Sequence, residues 1–562
     1  MNELKVARMN IDTTLLYSRQ KTTGLPVSLK TPGAVNYSRR VLLLILGFFV
    51  IRVVLAGSME LGNDEAYYWL YSQHLQWNYF DHPPVVALWI RFFTLNLSLQ
   101  DHVLFVRLGS IVSAAFSTWF IYKTTSQLYS EKAGWYSALL YNTSYYASIV
   151  AGVFIMPDSP QMFFWTLSLW MLARICTDED KWMNWIFFGL SAGLCIMSKV
   201  HGVLIWFGLA LYILTLKRNW LRKPQLYVAL FISSILVLPL LEWNIHYDFV
   251  TWRFHSQRIN FIDYALHLKN FRNEIAGQVF FNNPVNILLL ILALITAGKK
   301  LLKKVPALSL FLFIGGPLAF IILFVSLFRP TLPHWNGPAY VTLIAIAAIY
   351  LARLQRKFFP LVTRISLAIF IIFIVGWPLF TSLYPGTWGS KNQHEFGKGD
   401  ISLDMYGWRA AGERFSSVYN KVVQQNLILP NSPVVCNSWW GAHVEYYFCR
   451  PSNLTMIGLG TMQQIHHYLW TNEFRQRNVD FTTAISIVPT DENYDIKRHF
   501  SKYYNKIDLL NVIKVQRSKK DAHFFYVYRL SGWKNTLPVW PENVKPPKDQ
   551  QRRIAFFRLF DR

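Results

Sequence analysis

The chain is short of acid: 31 Asp and Glu against 56 Lys and Arg leave a formal net charge of +25, and charged residues make up only 15% of its 562 positions. It is also poor in cysteine, with 4. Cys176 and Cys195 lie inside apolar segments, which excludes a disulfide framework and any metal-binding cysteine spacing. Cys436 and Cys449 remain as the one pair able to bridge, and only if their domain lies outside the cytoplasm. No internal repeat or low-complexity segment is visible. No small-residue cleavage site follows the first apolar run, so that run is expected to be retained rather than removed as a signal peptide.

What the chain has in excess is apolar and aromatic: 53% hydrophobic and 17% Phe, Trp and Tyr. A soluble single-core protein is excluded on size and apolar excess together, and a polytopic membrane protein is the natural class. Its Lys and Arg sit in short segments between apolar runs, the pattern that orients a membrane protein against anionic lipid rather than one that binds nucleic acid. Apolar runs near 41–57, 103–122, 133–155, 160–176, 183–198, 202–216, 225–242, 283–298, 306–328, 338–352 and 361–380 predict an α-helical protein of about 11–13 spans.

Alternating these runs from a cytoplasmic N-terminus puts the basic segments KRNWLRK (217–223), KKLLKK (299–304) and RLQRK (353–357) on the cytoplasmic side. The same alternation gathers every motif that is not merely basic on the opposite face. The organisation expected is a basic segment over 1–40, a transmembrane domain over 41–382 with a first outer loop at 58–102, a soluble α/β domain over 383–540 and a basic amphipathic tail over 541–562. Strand-like runs at 432–439, 453–459, 481–488 and 522–530, with a helical stretch at 407–426, define the soluble domain.

Four outer motifs carry chemistry. In NDEAYY (63–68), Asp64 and Glu65 read either as helix-capping acids or as carboxylates near apolar surface, whose raised pKa suits proton abstraction. In YFDHPP (79–84), the prolines start a new helix, and Asp81 with His82 can cap it, meet a phosphate, or supply two ligands to a divalent metal. A metal would need a further ligand, for which His255 and His334 are the candidates. In MPDSP (156–160), Asp158 stands at the mouth of a span, where an acid is as much a functional as a structural residue. Lys199, Arg258 and Arg329 fall on the outer side against the positive-inside trend and read as a phosphate-binding set, with His201 beside Lys199.

With LEWNIHYDF (241–249), these motifs in this order resemble the bacterial membrane glycosyltransferases related to protein O-mannosyltransferases, in particular the lipid A aminoarabinose transferases. The resemblance implies a C-type glycosyltransferase fold in the inner membrane. It implies a hexosyl or pentosyl group carried on polyprenyl phosphate, and inverting transfer on the periplasmic face to a lipid (lipid A-like), glycan or protein acceptor. By motif position, Asp64 matches the family's first-loop acid, with Glu65 and Asp158 as further catalytic candidates. His82, Lys199, Arg258 and Arg329 are assigned to the donor phosphate, and Tyr67, Tyr68, His201 and His334 to the substrates. A divalent ion on Asp81, His82 and His255 is the one cofactor considered. Relatives often carry Lys where His82 stands, so direct charge pairing with phosphate is in question at that position. The rival class is a transporter or flippase of an anionic lipid or lipid-linked sugar, which also needs cations and acids near apolar surface.

Overall fold

The structure, a computed structural model, describes residues 36–260, 265–304, 306–354, 359–476, 479–492 and 494–538. The expected tail at 541–562, the basic segment 1–40 apart from 36–40, and most of 353–357 lie outside the described residues.

The described residues open with helix α1 (Tyr37–Ser58), capped by the Asn36 side chain, and α2 (Asn63–Gln73) and α3 (Val85–Phe93) follow in the first loop. The helical body continues through α4 (Val103–Leu128), α5 (Glu131–Thr143), α6 (Asp158–Thr177), α7 (Trp182–Ser198), α8 (Leu204–Leu216) and α9 (Pro224–His246). It closes with α10 (Val250–Ile259), α11 (Leu268–Phe281), α12 (Pro284–Lys304), α13 (Pro306–Ser326), α14 (Gly337–Arg353) and α15 (Phe359–Leu383).

Every one of the eleven apolar runs is helical over much of its length, but among the described residues six helices are long and apolar enough to cross a membrane, or seven if α11 and α12 form one span bent by 104°. By length and composition this is fewer than the 11–13 spans expected, for a physical reason. α5, α7 and α8 have 13, 17 and 13 residues, short of the ~20 that a bilayer core requires. α6 is diluted by Asp158, Gln161, Arg174 and several hydroxyls. The bend between α11 and α12 is built by Pro284, which has no N–H to continue a helix, and by Asn283 at φ +70°, whose amide donates to Thr143 O and Ser366 O.

Burial separates centre from periphery. The apolar windows of α4 and of 333–353 are 61% and 78% buried, whereas those of α1 and α15 are 28% and 17% buried and present Leu, Ile and Val outward. A face of that kind is stable only against lipid.

After Leu383 comes a five-stranded sheet of order β2-β1-β3-β5-β4, formed by β1 (Val434–Cys436), β2 (Met456–Gly458), β3 (Thr483–Pro489), β4 (Tyr504–Arg517) and β5 (Lys520–Trp533). β1 is parallel to β2 and β3, while β5 is antiparallel to β3 and β4. Helix α16 (Trp408–Gln424) packs on it. β4 was not expected, because its apolar residues are interleaved with Lys506, Asp508, Asn511, Lys514 and Gln516 along an edge of the sheet. Cys436 and Cys449 are both buried and both free thiols, so the considered bridge is not present.

The sheet domain and the first loop share one hydrophobic cluster, in which Tyr67, Trp69 and Phe80 pack with Trp440, Tyr446 and Trp470. Polar bonds close the seam: Tyr447 Oη accepts from Leu61 N at 2.6 Å, His443 Nε2 bonds Leu61 O at 2.8 Å, and the Glu60 carboxylate receives Trp408 N and Arg409 N at 2.8 and 3.1 Å. Glu60 thereby satisfies the free N–H groups at the start of α16 from another part of the chain.

Candidate active site

Asp64 sits in the first turn of α2 and opens into a cavity of about 250 Å³. Around it stand Tyr67, Tyr68, Asp81, His82, Asp158 and Lys199, with Arg258 and His334 at other points of the wall. The Asp64 side chain is accessible from that cavity. Burial, then the negative charges of Glu65 and Asp158, raise its pKa above the ordinary aspartate value, against the pull of Lys199 and Arg258.

Glu65, one residue on, does not line the cavity. It is buried, and its carboxylate takes Arg107 Nε at 2.8 Å, Arg107 Nη2 at 2.5 Å, Gly62 N at 2.9 Å and Ile155 N at 2.9 Å. The other Arg107 donors reach Ala56 O, Met59 O and Glu60 O at 3.0, 2.9 and 2.7 Å. This corrects the assignment of Glu65 as a catalytic acid. With its lone pairs committed, it ties α1, α2, α4 and the segment before Asp158 into one unit.

Asp158 begins α6 without capping it. Its carboxylate accepts from Lys199 Nζ at 2.8 Å and from Tyr146 Oη at 3.0 Å, and both members of the ion pair are almost wholly buried. Lys199 reaches the site because α7 stops at Ser198 and the next residue is extended, at φ −157° and ψ 127°. Tyr146 is delivered by a π-helical turn over 146–150, a backbone irregularity that recurs at functional sites. Its ring rests directly on Gly337, where a Cβ would lie 2.0 Å from Cζ.

The YFDHPP turn places Asp81 and His82 in the wall, but Asp81 does not cap α3. Its carboxylate accepts from Tyr71 Oη, and at 3.4 Å from Tyr67 Oη, while burial raises its pKa to about 6. His82 lies between the rings of Tyr68 and His255, and burial together with His255 and Lys199 lowers its pKa well below the ordinary value. A neutral His82 does not restore the positive charge in question at this position. Lys199 and Arg258 supply cations to the same cavity from other elements.

The Arg258 guanidinium, from the last turn of α10, stacks over Phe254 at 5.4 Å and Trp335 at 5.1 Å. Arg329 and His201 lie outside the wall; Arg329 Nη2 donates to Gln257 O at 3.2 Å. The Asp81, His82 and His255 set does not fit a metal: Asp81 is engaged by two tyrosines, and His255 Nε2 faces the Asp81 backbone oxygen at 2.6 Å. Among the described residues no group of three or more His, Cys, Asp or Glu could hold an ion.

Two wall residues that the sequence reading missed, Trp439 and His466, come from the sheet domain. The only sequence signal for them is a pair of aromatic-rich turns, NSWWGAH (437–443) and QIHHY (464–468).

Comparison with known proteins fits this geometry. Residues 81–243 match the family model of dolichyl-phosphate-mannose-protein mannosyltransferase. The chain is 25% identical over 382 residues, 66% of its length and 76% of the relative's, to the lipid A galacturonosyltransferase RgtD of Rhizobium johnstonii. Its fold matches ArnT from Cupriavidus metallidurans in the apo state, with a TM-score of 0.58 at 13% identity over 87% of this chain and 98% of that one. The same protein bound to undecaprenyl phosphate matches at a TM-score of 0.56 and 14% identity, with the same coverage. The chain has the fold of the C-type membrane glycosyltransferases. It is related to the protein O-mannosyltransferases and to the lipid A transferases. Nothing in the fold or in these relatives supports the transporter reading. The matched segment 81–243 spans Asp81, Asp158 and Lys199, while Asp64 and the sheet-domain residues lie outside it.

Proposed function

We propose that this glycosyltransferase takes a sugar from polyprenyl phosphate and transfers it to a lipid A-like acceptor at the periplasmic face of the inner membrane. The observation that carries the reading is the joining of Asp64 with the Lys199–Asp158 pair and Arg258 around one cavity. The undecaprenyl phosphate bound by ArnT and the lipid A acceptor in RgtD's name support the donor and acceptor classes.

In the transfer, an acceptor oxygen attacks the anomeric carbon from the face opposite the phosphate, the carbon–oxygen bond to phosphate breaks, and its electron pair leaves on the polyprenyl phosphate. Lys199 and Arg258 balance the charge that develops there. With a hydroxyl acceptor the proton passes to Asp64, whose raised pKa brings it nearer to that of a useful base at neutral pH. With a phosphate acceptor, already ionised, Asp64 orients instead. Tyr67, Tyr68 and His334 contact the substrates, and the aromatic wall limits hydrolysis by keeping water out. The metal-bound route is not carried forward, because its ligand set is committed elsewhere.

Purified protein incubated with radiolabelled polyprenyl-phosphate sugars and a membrane lipid extract is expected to form a labelled lipid, and Asp64→Asn is expected to reduce transfer to a hydroxyl by at least about 100-fold with its melting profile unchanged. Lipid scrambling in vesicles without product from any donor would overturn the reading.

A further inference from the structure

Trp439 and His466 enter the cavity from the sheet domain on two segments tied together, since Trp439 N donates to Gln464 O at 2.9 Å. Their rings are parallel within 5°, with centroids 6.0 Å apart. His466 is further held by Phe80, stacked at 4.8 Å, and by Phe254, edge-on at 5.4 Å. The Tyr67 ring meets Trp439 edge-on at 5.5 Å.

The backbone of His466 sits at φ 47° and ψ −123°, a region that favours glycine. A side chain other than glycine is strained in such a conformation, and strain of this kind concentrates at functional sites. Here the neighbours fix the ring that the strain presents. The ring also hydrogen-bonds the Gln463 backbone, and burial lowers its pKa to about 4, so it is neutral at physiological pH. A neutral imidazole that donates from one nitrogen keeps an acceptor lone pair on the other.

We infer that Trp439 and His466 form the platform that recognises the donor's sugar ring, Trp439 through its aromatic face and His466 as acceptor for a ring hydroxyl. Choice of sugar then resides in the soluble domain, while phosphate binding and bond breaking reside in the membrane domain. The inference rests on the proposed donor class and adds which residues read the sugar. Sugar rings suit this chemistry, because their C–H faces pack on aromatic surface while their hydroxyls demand directional partners. A site built to hydrogen-bond a hydroxyl rejects analogues that lack it far more strongly than an apolar pocket rejects a methylene.

The test is binding of undecaprenyl phosphate, bare or carrying galacturonic acid or mannose, to the full-length protein in nanodiscs, with turnover measured in parallel. Wild type is expected to bind at least one sugar-bearing form more tightly than the bare phosphate. His466→Gly, which relieves the backbone strain, and Trp439→Ala are expected to weaken that form about tenfold or more and leave bare undecaprenyl phosphate within about twofold, with Trp439→Phe retaining most of the preference. Equal losses for both ligands, or an unchanged preference for the sugar, would overturn the platform. Absence of turnover in wild type with the binding preference intact would instead overturn the proposed transfer and leave the platform standing.

Discussion

Asp404 illustrates how much a single carboxylate can reveal about the seam between the first loop and the sheet domain. Its Oδ1 accepts from Asn63 N at 3.1 Å, and burial, with the charges of Asp64, Glu65 and Asp491 added, raises its pKa from 3.8 to about 7. A group whose pKa is higher folded than unfolded contributes stability that is full below the unfolded value and is lost as pH rises through the folded one. The contribution of Asp404 is therefore lost between about pH 4 and about pH 7. Asp404→Asn keeps the acceptor and removes the charge. Thermal unfolding in detergent is expected to show the variant more stable than wild type at pH 8 and equal to it at pH 4; a constant difference across that range would refute the linkage. The same sign governs the rate. If Asp64 is the base for a hydroxyl acceptor, transfer falls as pH drops through its raised pKa, and a pH–rate profile should show an acid limb that Asp64→Asn lacks. These two acids were equally visible as letters, yet only Asp64 stood in a readable motif. Asp404 lies 340 positions further on and acquires its role through Asn63.

Among the elements, α2 and the segment 144–158 position the carboxylates, and both depend on contacts that local sequence does not announce. Arg107, near the start of α4 and 42 residues from Glu65, holds it with every donor group engaged. Arg107→Ala would leave Glu65 as a buried charge without its counter-ion, a change that costs about 3–5 kcal/mol. Detergent-solubilised Arg107→Ala should accordingly melt well below wild type, and Glu65→Gln with Arg107→Met together should recover part of the loss. Gly337 acts by what it lacks. Its Cα is the seat of the Tyr146 ring, so Gly337→Ala is expected to push Tyr146 off Asp158 and lower the transfer rate several-fold, with α14 still formed because alanine is the better helix residue. Unaltered kinetics in Gly337→Ala would show that the Tyr146–Asp158 bond is dispensable. The helices themselves were legible from apolar runs. Which of them are long enough to cross a membrane alone was less so, because α5 and most of α7 are buried by neighbouring helices and need not be long.

For the whole molecule, the sheet domain is part of the site and not an appendage to it. Trp439 and His466 line the cavity, Glu60 caps α16, and the shared aromatic cluster would be exposed on both sides if the parts were separated. Removing residues 384–562 is expected to abolish transfer and to destabilise the first loop, read as loss of product together with new protease cleavage within 58–102. Full activity of the truncated protein would refute the shared site. The sequence by itself determined the membrane class, the helical runs, most of the strands, and the motifs that carry the carboxylates and cations of the cavity. Those features depend on composition and on short-range periodicity, which any window of the chain displays. Only the tertiary structure decided which acid is free and which is bound: Glu65 is taken by Arg107 while its neighbour Asp64 opens into the cavity. Only it decided that His82 is neutral and that Trp439 and His466 meet Tyr67 and Phe80 across nearly 400 residues of chain. Burial, ion pairing and ring stacking are set by partners distant in sequence, and the fold alone brings those partners together.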